Sequence, residues 1–116
     1  MVMRKRRDFP VTIYRILLYL SRMRESSPNK RRLVKIQRAV DIDRKEIKPM
    51  LEKLEAVGLV EKHDTGRVGQ GGHAIVHWDI TESGKMWRKD IGQFIQLAQR
   101  MAVYPEEFFY LPSDNM

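Results

Sequence analysis

LVKIQRAVDIDRKEIKPMLEKLEAVGLVE, residues 33–61, predicts a helix, a tight turn, a second helix and the start of a strand. After Asp43 the apolar residues recur every three or four positions, at Ile47, Met50, Leu51, Leu54 and Val57. This spacing is typical of a helix with one buried face. Asp43 is the predicted N-cap, because its carboxylate can accept a hydrogen bond from a first-turn amide. Gly58 can adopt the left-handed conformation that ends a helix.

The same residues resemble a known DNA-binding motif. Two short helices joined by a turn of about three or four residues form a helix-turn-helix, whose second helix enters the major groove. LEKLEAVGLVEK and WDITESGKMW are similar to the segments that lead into and out of the wing of winged-helix proteins. The residues that match the motif's buried and small positions are Ile36, Ala39, Ile47, Leu51 and Leu54, and its turn is supplied by Asp41 and Ile42. The resemblance to winged helix-turn-helix proteins covers roughly two thirds of the chain and implies DNA binding.

Two positions depart from that family's pattern. Asp41 stands where the family usually has Gly in a left-handed turn, a conformation that Asp tolerates better than most residues. Pro49 falls inside the second helix, where it removes one backbone hydrogen bond and crowds the carbonyl of Lys45, at a cost of roughly 3 kcal/mol. We expect a kink or a loosened first turn there.

Length and composition limit the possibilities. The 116 residues predict one domain with an appended helix, and 42% hydrophobic residues is ordinary for a globular protein. Cysteine is absent, which excludes disulfides, thiolate nucleophiles and thiolate metal sites. No apolar run approaches the roughly 18 residues of a membrane span, and the N-terminal region lacks the features of a signal peptide. We therefore expect a cytoplasmic protein with no membrane partner.

The charge is divided unevenly along the chain. Residues 1–48 carry 15 Lys and Arg against 5 Asp and Glu, a net charge of +10, whereas residues 49–116 carry 7 against 10, a net charge of −3. This division favours a protein that meets phosphates with its N-terminal half. The alternative is that the basic residues only keep the protein in solution.

The chain divides into four segments with different predicted roles. Residues 1–8, with four consecutive basic residues at 4–7, form a predicted basic arm, which either follows a DNA backbone or makes no fixed contact. Residues 9–80 form the predicted winged helix-turn-helix domain, which begins with a structural helix at about 9–24. Residues 81–104 are the predicted dimerisation helix, and residues 105–116 are an aromatic tail predicted to pack on the body or on a partner subunit. The predicted fold class is mainly α with a small β-hairpin, or α+β.

Candidate DNA contacts follow from the charged positions. The segment before and within the first helix of the motif crosses the sugar-phosphate backbone in proteins that it resembles, and the second helix turns its charged side outward. The alternative for any one of these residues is a solvated surface charge. The candidates are Arg31, Arg32, Lys35, Arg44, Lys45, Lys48, Arg67 and Gln70.

A β-hairpin is predicted from strands at 59–64 and 74–81. The second strand alternates Val76, Trp78 and Ile80 with Ile75, His77 and Asp79, which is typical of a sheet with one buried face. The intervening TGRVGQGGH contains four glycines and one arginine, and suits a flexible wing tip. A phosphate-cradling loop is disfavoured, because no Lys-Ser/Thr pair follows and no helix begins there.

Neither a metal site nor an enzyme is predicted. His63, His73 and His77 would come near one another in the hairpin, but no carboxylate or thiolate is clearly placed to complete a metal site. No paired carboxylates or nucleophile-base pairs are evident. The sequence therefore predicts no cofactor and no catalytic residues, and it leaves a small-molecule effector unknown.

The last predicted helix carries an apolar seam. Thr81 is its predicted N-cap, and apolar residues recur at heptad-like intervals along it. Several small archaeal winged-helix proteins that this chain resembles dimerise through a C-terminal helix. The seam can pack on the first helix instead, but we expect it to pair with a second copy of the chain. The predicted dimer residues are Trp87, Ile91, Phe94, Ile95, Ala98 and Met101.

These observations favour a homodimeric transcription regulator that binds double-stranded DNA with sequence preference. One alternative is an architectural, chromatin-like protein that coats DNA with little sequence preference. Another is a winged helix used only to bind proteins, for which the uneven charge would be incidental.

Overall fold

A computed structural model describes residues 9–69, 71–72, 74–101 and 111, and for residues 9 and 10 it describes the backbone only. Several sequence predictions lie outside the described residues. They concern the basic arm 1–8, Gln70, His73, the end of the last helix beyond 101, and most of the aromatic tail.

The described residues form a mainly helical α+β structure, as the sequence predicted. Its sheet has two antiparallel strands. No described helix is both long and apolar enough to cross a lipid bilayer. In chain order the elements are α1 (Phe9–Arg22), a 3-10 turn (Pro28–Arg31), α2 (Leu33–Val40), α3 (Arg44–Ala56), β1 (Val60–Val68), β2 (Ala74–Ile80) and α4 (Glu82–Arg100).

The turn and caps between α2 and α3 agree with the sequence prediction. The Asp43 carboxylate accepts a hydrogen bond from the amide of Lys45 at 3.0 Å, and Asp41 is left-handed with φ +53°. Gly58 ends the helical segment with φ +82°. Helix α3 continues through Pro49, and its first turn is helical, so the loosened first turn is not observed.

The core is built around α1. Its Ile16, Leu17 and Leu20 are fully buried, because their three-and-four spacing places them on one helix face. Helices α2 and α3 add buried side chains on one side, and α4 adds others along the length of α1. The other fully buried side chains are Ile36, Val40, Ile47, Leu51, Val60 and Ile95.

The hairpin has a defined register and a longer first strand than predicted. Val60 pairs with Ile80 and His63 with His77, and the register shifts between Asp64 and Val68. Beyond Asp64, Thr65 Oγ1 donates a hydrogen bond to the Ile75 carbonyl at 2.8 Å, which links the two strands within the irregular region. The register shift lets β1 extend to Val68, so the connection to β2 comprises only residues 69–73.

Helix α4 begins at a point of close contact with the rest of the chain. Thr81 Oγ1 accepts a hydrogen bond from the Gly84 amide at 3.0 Å, as predicted for an N-cap. The same hydroxyl donates to the Gly58 carbonyl at 2.6 Å, which ties the start of α4 to the end of α3. The Cβ of an alanine at position 84 would overlap the carbonyl oxygen of Leu59, so glycine allows the helix to approach β1.

The apolar seam of α4 is divided between two environments. Ile91, Ile95 and Ala98 are buried within the chain, where α4 packs on α1, so these three predicted dimer residues are not available to a second copy. The alternative of packing on the first helix is correct for them, because a helix this close to α1 must bury one face against it. The other three, Trp87, Phe94 and Met101, are exposed.

Candidate nucleic-acid interface

A cleft of about 620 Å³ lies between α2, α3 and one face of the hairpin. The apolar part of its lining includes Leu33 from α2 and Val76 and Trp78 from β2. Its charged lining residues are all basic, and no acidic residue lines it among the residues that the structure describes. The four cations are Arg32, Lys35, Lys48 and Lys62.

Each of the four cations comes from a different position around the cleft. Arg32 immediately precedes α2, and its Nη1 donates to Asn29 Oδ1 at 3.3 Å. Lys35 and Lys48 are exposed on α2 and α3. Lys62 lies on β1, with Nζ 5.9 Å from the centroid of the Trp78 ring, within the range of a cation–π contact.

The cleft concentrates positive charge that is not neutralised locally. Within the described part of the chain, none of the four cations forms an ion pair with a carboxylate. Exposed Lys and Arg side chains without such partners can donate hydrogen bonds to phosphate oxygens, which are strong acceptors. The arrangement therefore suits a polyanion that reaches both α3 and the hairpin.

Two predicted contacts lie on α3 outside the cleft. Arg44 and Lys45 are exposed in its first turn and are not among the residues that line the cleft. Lys48, one turn further along, is the member of this group that faces the hairpin. The first turn of α3 therefore carries two exposed cations next to the basic cleft.

Arg31 is not placed to bind a phosphate. The side chain is 7% exposed, and its Nε lies 2.6 Å from Asp79 Oδ1 as an ion pair, without the direction of a good hydrogen bond. Its Nη1 donates to the carbonyls of Met23, Arg24 and Ser26 at 2.7, 3.2 and 2.8 Å. The prediction that Arg31 contacts DNA is therefore wrong, because its buried guanidinium links the segment after α1 to Asp79 on β2.

The segment before α2 is fixed by a second polar contact. Tyr19 donates a hydrogen bond to the Lys30 carbonyl at 2.6 Å. Burial raises the pKa of the Tyr19 hydroxyl, so it keeps its proton and remains a donor. Together with Arg31, this contact positions the 3-10 turn and, through it, Arg32 at the edge of the cleft.

The tip of the hairpin is only partly described. Arg67 is exposed near the end of β1, and with Arg32 and Thr65 it lines a smaller cleft of about 480 Å³. Gln70 lies outside the described residues. Arg32 borders both clefts, so the basic surface continues from the larger cleft towards Arg67.

Sequence reasoning did not single out Lys62. The signal was present, because alternation in β1 and the pairing of Lys62 with Trp78 place both residues on the same face of the hairpin. Of the large aromatic residues, Trp78 lines the larger cleft, Tyr14 is buried in the core and Trp87 is exposed on α4.

Comparison of this chain with protein-family models, with curated proteins and with solved structures gives no match.

Proposed function

We propose that this protein binds double-stranded DNA with sequence preference, as a homodimer, and regulates transcription. In this proposal the chain is a winged helix-turn-helix protein in which α3 is the recognition helix and the hairpin is the wing. The observation that carries it is the cleft between them, with four cations and no acidic residue among its described lining residues.

Affinity would come mainly from neutralised phosphates. Lys48 on α3 and Lys62 on β1 lie on two sides of the cleft, so one DNA backbone strand could contact both. Each phosphate neutralised by Lys or Arg releases counterions, which makes binding weaker as salt increases. The exposed Arg67 near the hairpin tip would extend these contacts along the backbone or into the adjacent groove.

Sequence preference would come from the first half of α3. Arg44 and Lys45 are exposed at its N-terminal turn, the part of a recognition helix that reaches base edges in helix-turn-helix complexes. Arginine can donate two hydrogen bonds to guanine O6 and N7, and lysine can reach the same acceptors.

A second copy would pack on the exposed stripe of α4. Trp87, Phe94 and Met101 are 52%, 50% and 67% exposed and recur at intervals of seven residues, which places them on one side of the helix. Met86 and Leu97, also exposed, widen this stripe. Exposed apolar patches of this kind mark protein contacts. If two α4 helices paired through this stripe, the exposed apolar side chains of both copies would be buried. A symmetric dimer would bind a palindromic site with half-sites about one helical turn apart.

The proposal is tested by selecting bound fragments from a pool of genomic duplexes and mapping the protected footprint. Regulation by a symmetric dimer predicts a defined protected sequence with two related half-sites, and affinity for it should exceed that for random duplex at least about 1,000-fold. Affinity should fall steeply between about 50 and 200 mM salt.

The other outcomes identify the alternatives. Equal affinity for selected and random duplexes would indicate an architectural DNA-binding protein. No binding to any duplex at low salt would overturn DNA binding and leave protein interaction as the function of the fold.

A further inference from the structure

The face of the hairpin opposite Trp78 carries two histidines and two carboxylates. His63 and His77 are directly opposed across the two strands, and Glu61 and Asp79 form the next pair on the same face. The two imidazole rings are stacked, with centroids 5.1 Å apart. His77 also lines the smaller cleft that contains Arg32 and Arg67, but none of the four residues is itself a proposed DNA contact.

The side chains are arranged around a common centre. Asp79 Oδ2 lies 3.2 Å from His63 Nε2 and 3.7 Å from His77 Nε2, and the potential ligand atoms of these three residues all lie within 4.8 Å of one another. Glu61 Oε2 is 3.5 Å from His63 Nε2. In a tetrahedral site with metal–ligand bonds of about 2.1 Å, neighbouring ligand atoms are about 3.4 Å apart. The two distances from Asp79 to the histidines are therefore close to those of a metal site, and the two imidazoles would need only a small movement to share one ion.

Arg31 orients the carboxylate of Asp79. Its Nε contacts Oδ1 at 2.6 Å, whereas Oδ2 is the oxygen nearest the two histidines. Because Arg31 is itself held by three backbone carbonyls, this orientation is maintained from outside the cluster. Residues that hold a ligand in this way are a regular part of protein metal sites.

The Nε2 atom of His77 is too far from Asp79 Oδ2, at 3.7 Å, for a hydrogen bond. A metal ion bound between the two side chains would give this nitrogen a partner, whereas Nδ1, which is buried without a hydrogen-bond partner among the described residues, is not the proposed ligand atom.

We infer that His63, His77 and Asp79 bind one divalent transition metal ion of the zinc class, with Glu61 next to the fourth position. Imidazole and carboxylate ligands in tetrahedral geometry suit zinc and cobalt, whereas magnesium and calcium prefer oxygen ligands alone. The ion would join β1 to β2 near the base of the hairpin. Sequence analysis predicted no such site, because only the strand register places Asp79 between the two histidines.

The inference is tested on untagged, chelator-treated protein titrated with Co²⁺. We expect one Co²⁺ per chain, visible absorption bands of tetrahedral cobalt, and displacement by Zn²⁺ but not by Mg²⁺. His63→Ala, His77→Ala and Asp79→Asn should each weaken binding at least about tenfold, and Glu61→Gln should weaken it less. Zn²⁺ should also raise the Tm of the wild-type protein, because a ligand that binds only the folded state stabilises it.

Two control variants locate the site. Asp90→Asn on α4 removes an exposed carboxylate that lies eleven residues after Asp79 in the sequence, and it should leave Co²⁺ affinity unchanged. His73→Ala removes the third histidine of the chain, and the inferred ligand set predicts that binding remains. If Asp79→Asn does not fold because it leaves Arg31 without its carboxylate, His63→Ala decides, since that side chain is 45% exposed.

No saturable Co²⁺ or Zn²⁺ binding by the wild-type protein would overturn the inference. It would also be overturned by wild-type affinity in both His63→Ala and His77→Ala, or by loss of binding in His73→Ala while these two retain it. None of these three results depends on DNA, so the metal site and the proposed function can fail independently.

Discussion

Helices α3 and α4 each bury one face in the core, but their opposite faces present different chemistry to solvent. On α3 most exposed residues are charged, four of them basic and three acidic, and the basic ones include Arg44, Lys45 and Lys48. On α4 a stripe of exposed residues is apolar, including Trp87 and Phe94. The buried faces explain why both segments are helices within this fold. The exposed faces suit different partners. Basic side chains such as those on α3 suit phosphates, whereas the apolar stripe on α4 suits another protein surface.

The largest expected effects come from substitutions on the buried faces of α3 and α4. Leu51→Ala in α3 and Ile95→Ala in α4 should each lower the free energy of unfolding by about 2–5 kcal/mol, because both side chains are fully buried and leave a cavity. The neighbouring exposed residue Glu52 provides a matched control, and Glu52→Ala should change stability by less than about 0.5 kcal/mol. Urea denaturation monitored by circular dichroism measures all three.

The next effect separates the exposed face of α4 from that of α3. The double variant Trp87→Ser, Phe94→Ser should raise the dissociation constant of the proposed dimer at least about 30-fold, because it removes two large apolar contacts. Sedimentation equilibrium over a range of concentrations measures this change. The charged counterpart, Lys45→Ala, should leave the dimer unchanged. A wild-type protein that is monomeric at every concentration would contradict the proposed role of the stripe.

A smaller loss of stability is expected from a substitution at the point where the start of α4 approaches Leu59. Gly84→Ala should destabilise the protein by about 1–3 kcal/mol, because its Cβ would overlap the Leu59 carbonyl and approach Ile80 Cγ1 to 2.7 Å. Gly92→Ala is the matched control on the same helix. Its Cβ would meet only the Tyr14 ring, at 3.2 Å, and alanine favours helix by about 1 kcal/mol over glycine. Thermal unfolding should therefore show a clear loss for position 84 and little change for position 92.

The smallest effect belongs to single charges of the proposed DNA surface. Lys48→Ala and Lys62→Ala should each reduce the slope of log affinity against log salt by about 1 and weaken binding to all duplexes alike. Lys89→Ala, an exposed lysine on α4, removes the same charge away from the cleft and serves as the control. Fluorescence anisotropy with a labelled duplex measures the slopes. Equal effects of all three variants would show that only net charge matters, and that the cleft has no special role.

Local signals in the chain predicted the elements well. Asp43 and Thr81 act as N-caps and Gly58 is left-handed, because these features depend on hydrogen bonds and backbone conformations within a few residues. The alternation in β2 also predicted the strand, on which Trp78 and Ile80 are buried. The extension of β1 to Val68 was not predicted, because it depends on a register shift against the partner strand.

The candidate sites were predicted less well than the elements. Charge and helical spacing indicated Lys48, but the same reasoning treated Arg31 as an equivalent surface cation. The difference is that Asp79, 48 positions later, and three backbone carbonyls surround the Arg31 guanidinium. Such a contact has no periodic signal in the sequence. For the same reason the spacing along α4 did not reveal which apolar residues would face α1.

Residues close together in the chain thus dictated the helices, their ends, the hairpin and the concentration of positive charge in the N-terminal half, since each follows from short-range hydrogen bonds, periodicity or composition. Packing between distant segments decided the rest. It buried Arg31, divided the apolar residues of α4 between core and solvent, brought Lys62 opposite Lys48 across one cleft, and set Asp79 between His63 and His77. These arrangements depend on strand register and helix placement, which are fixed only when the whole core assembles.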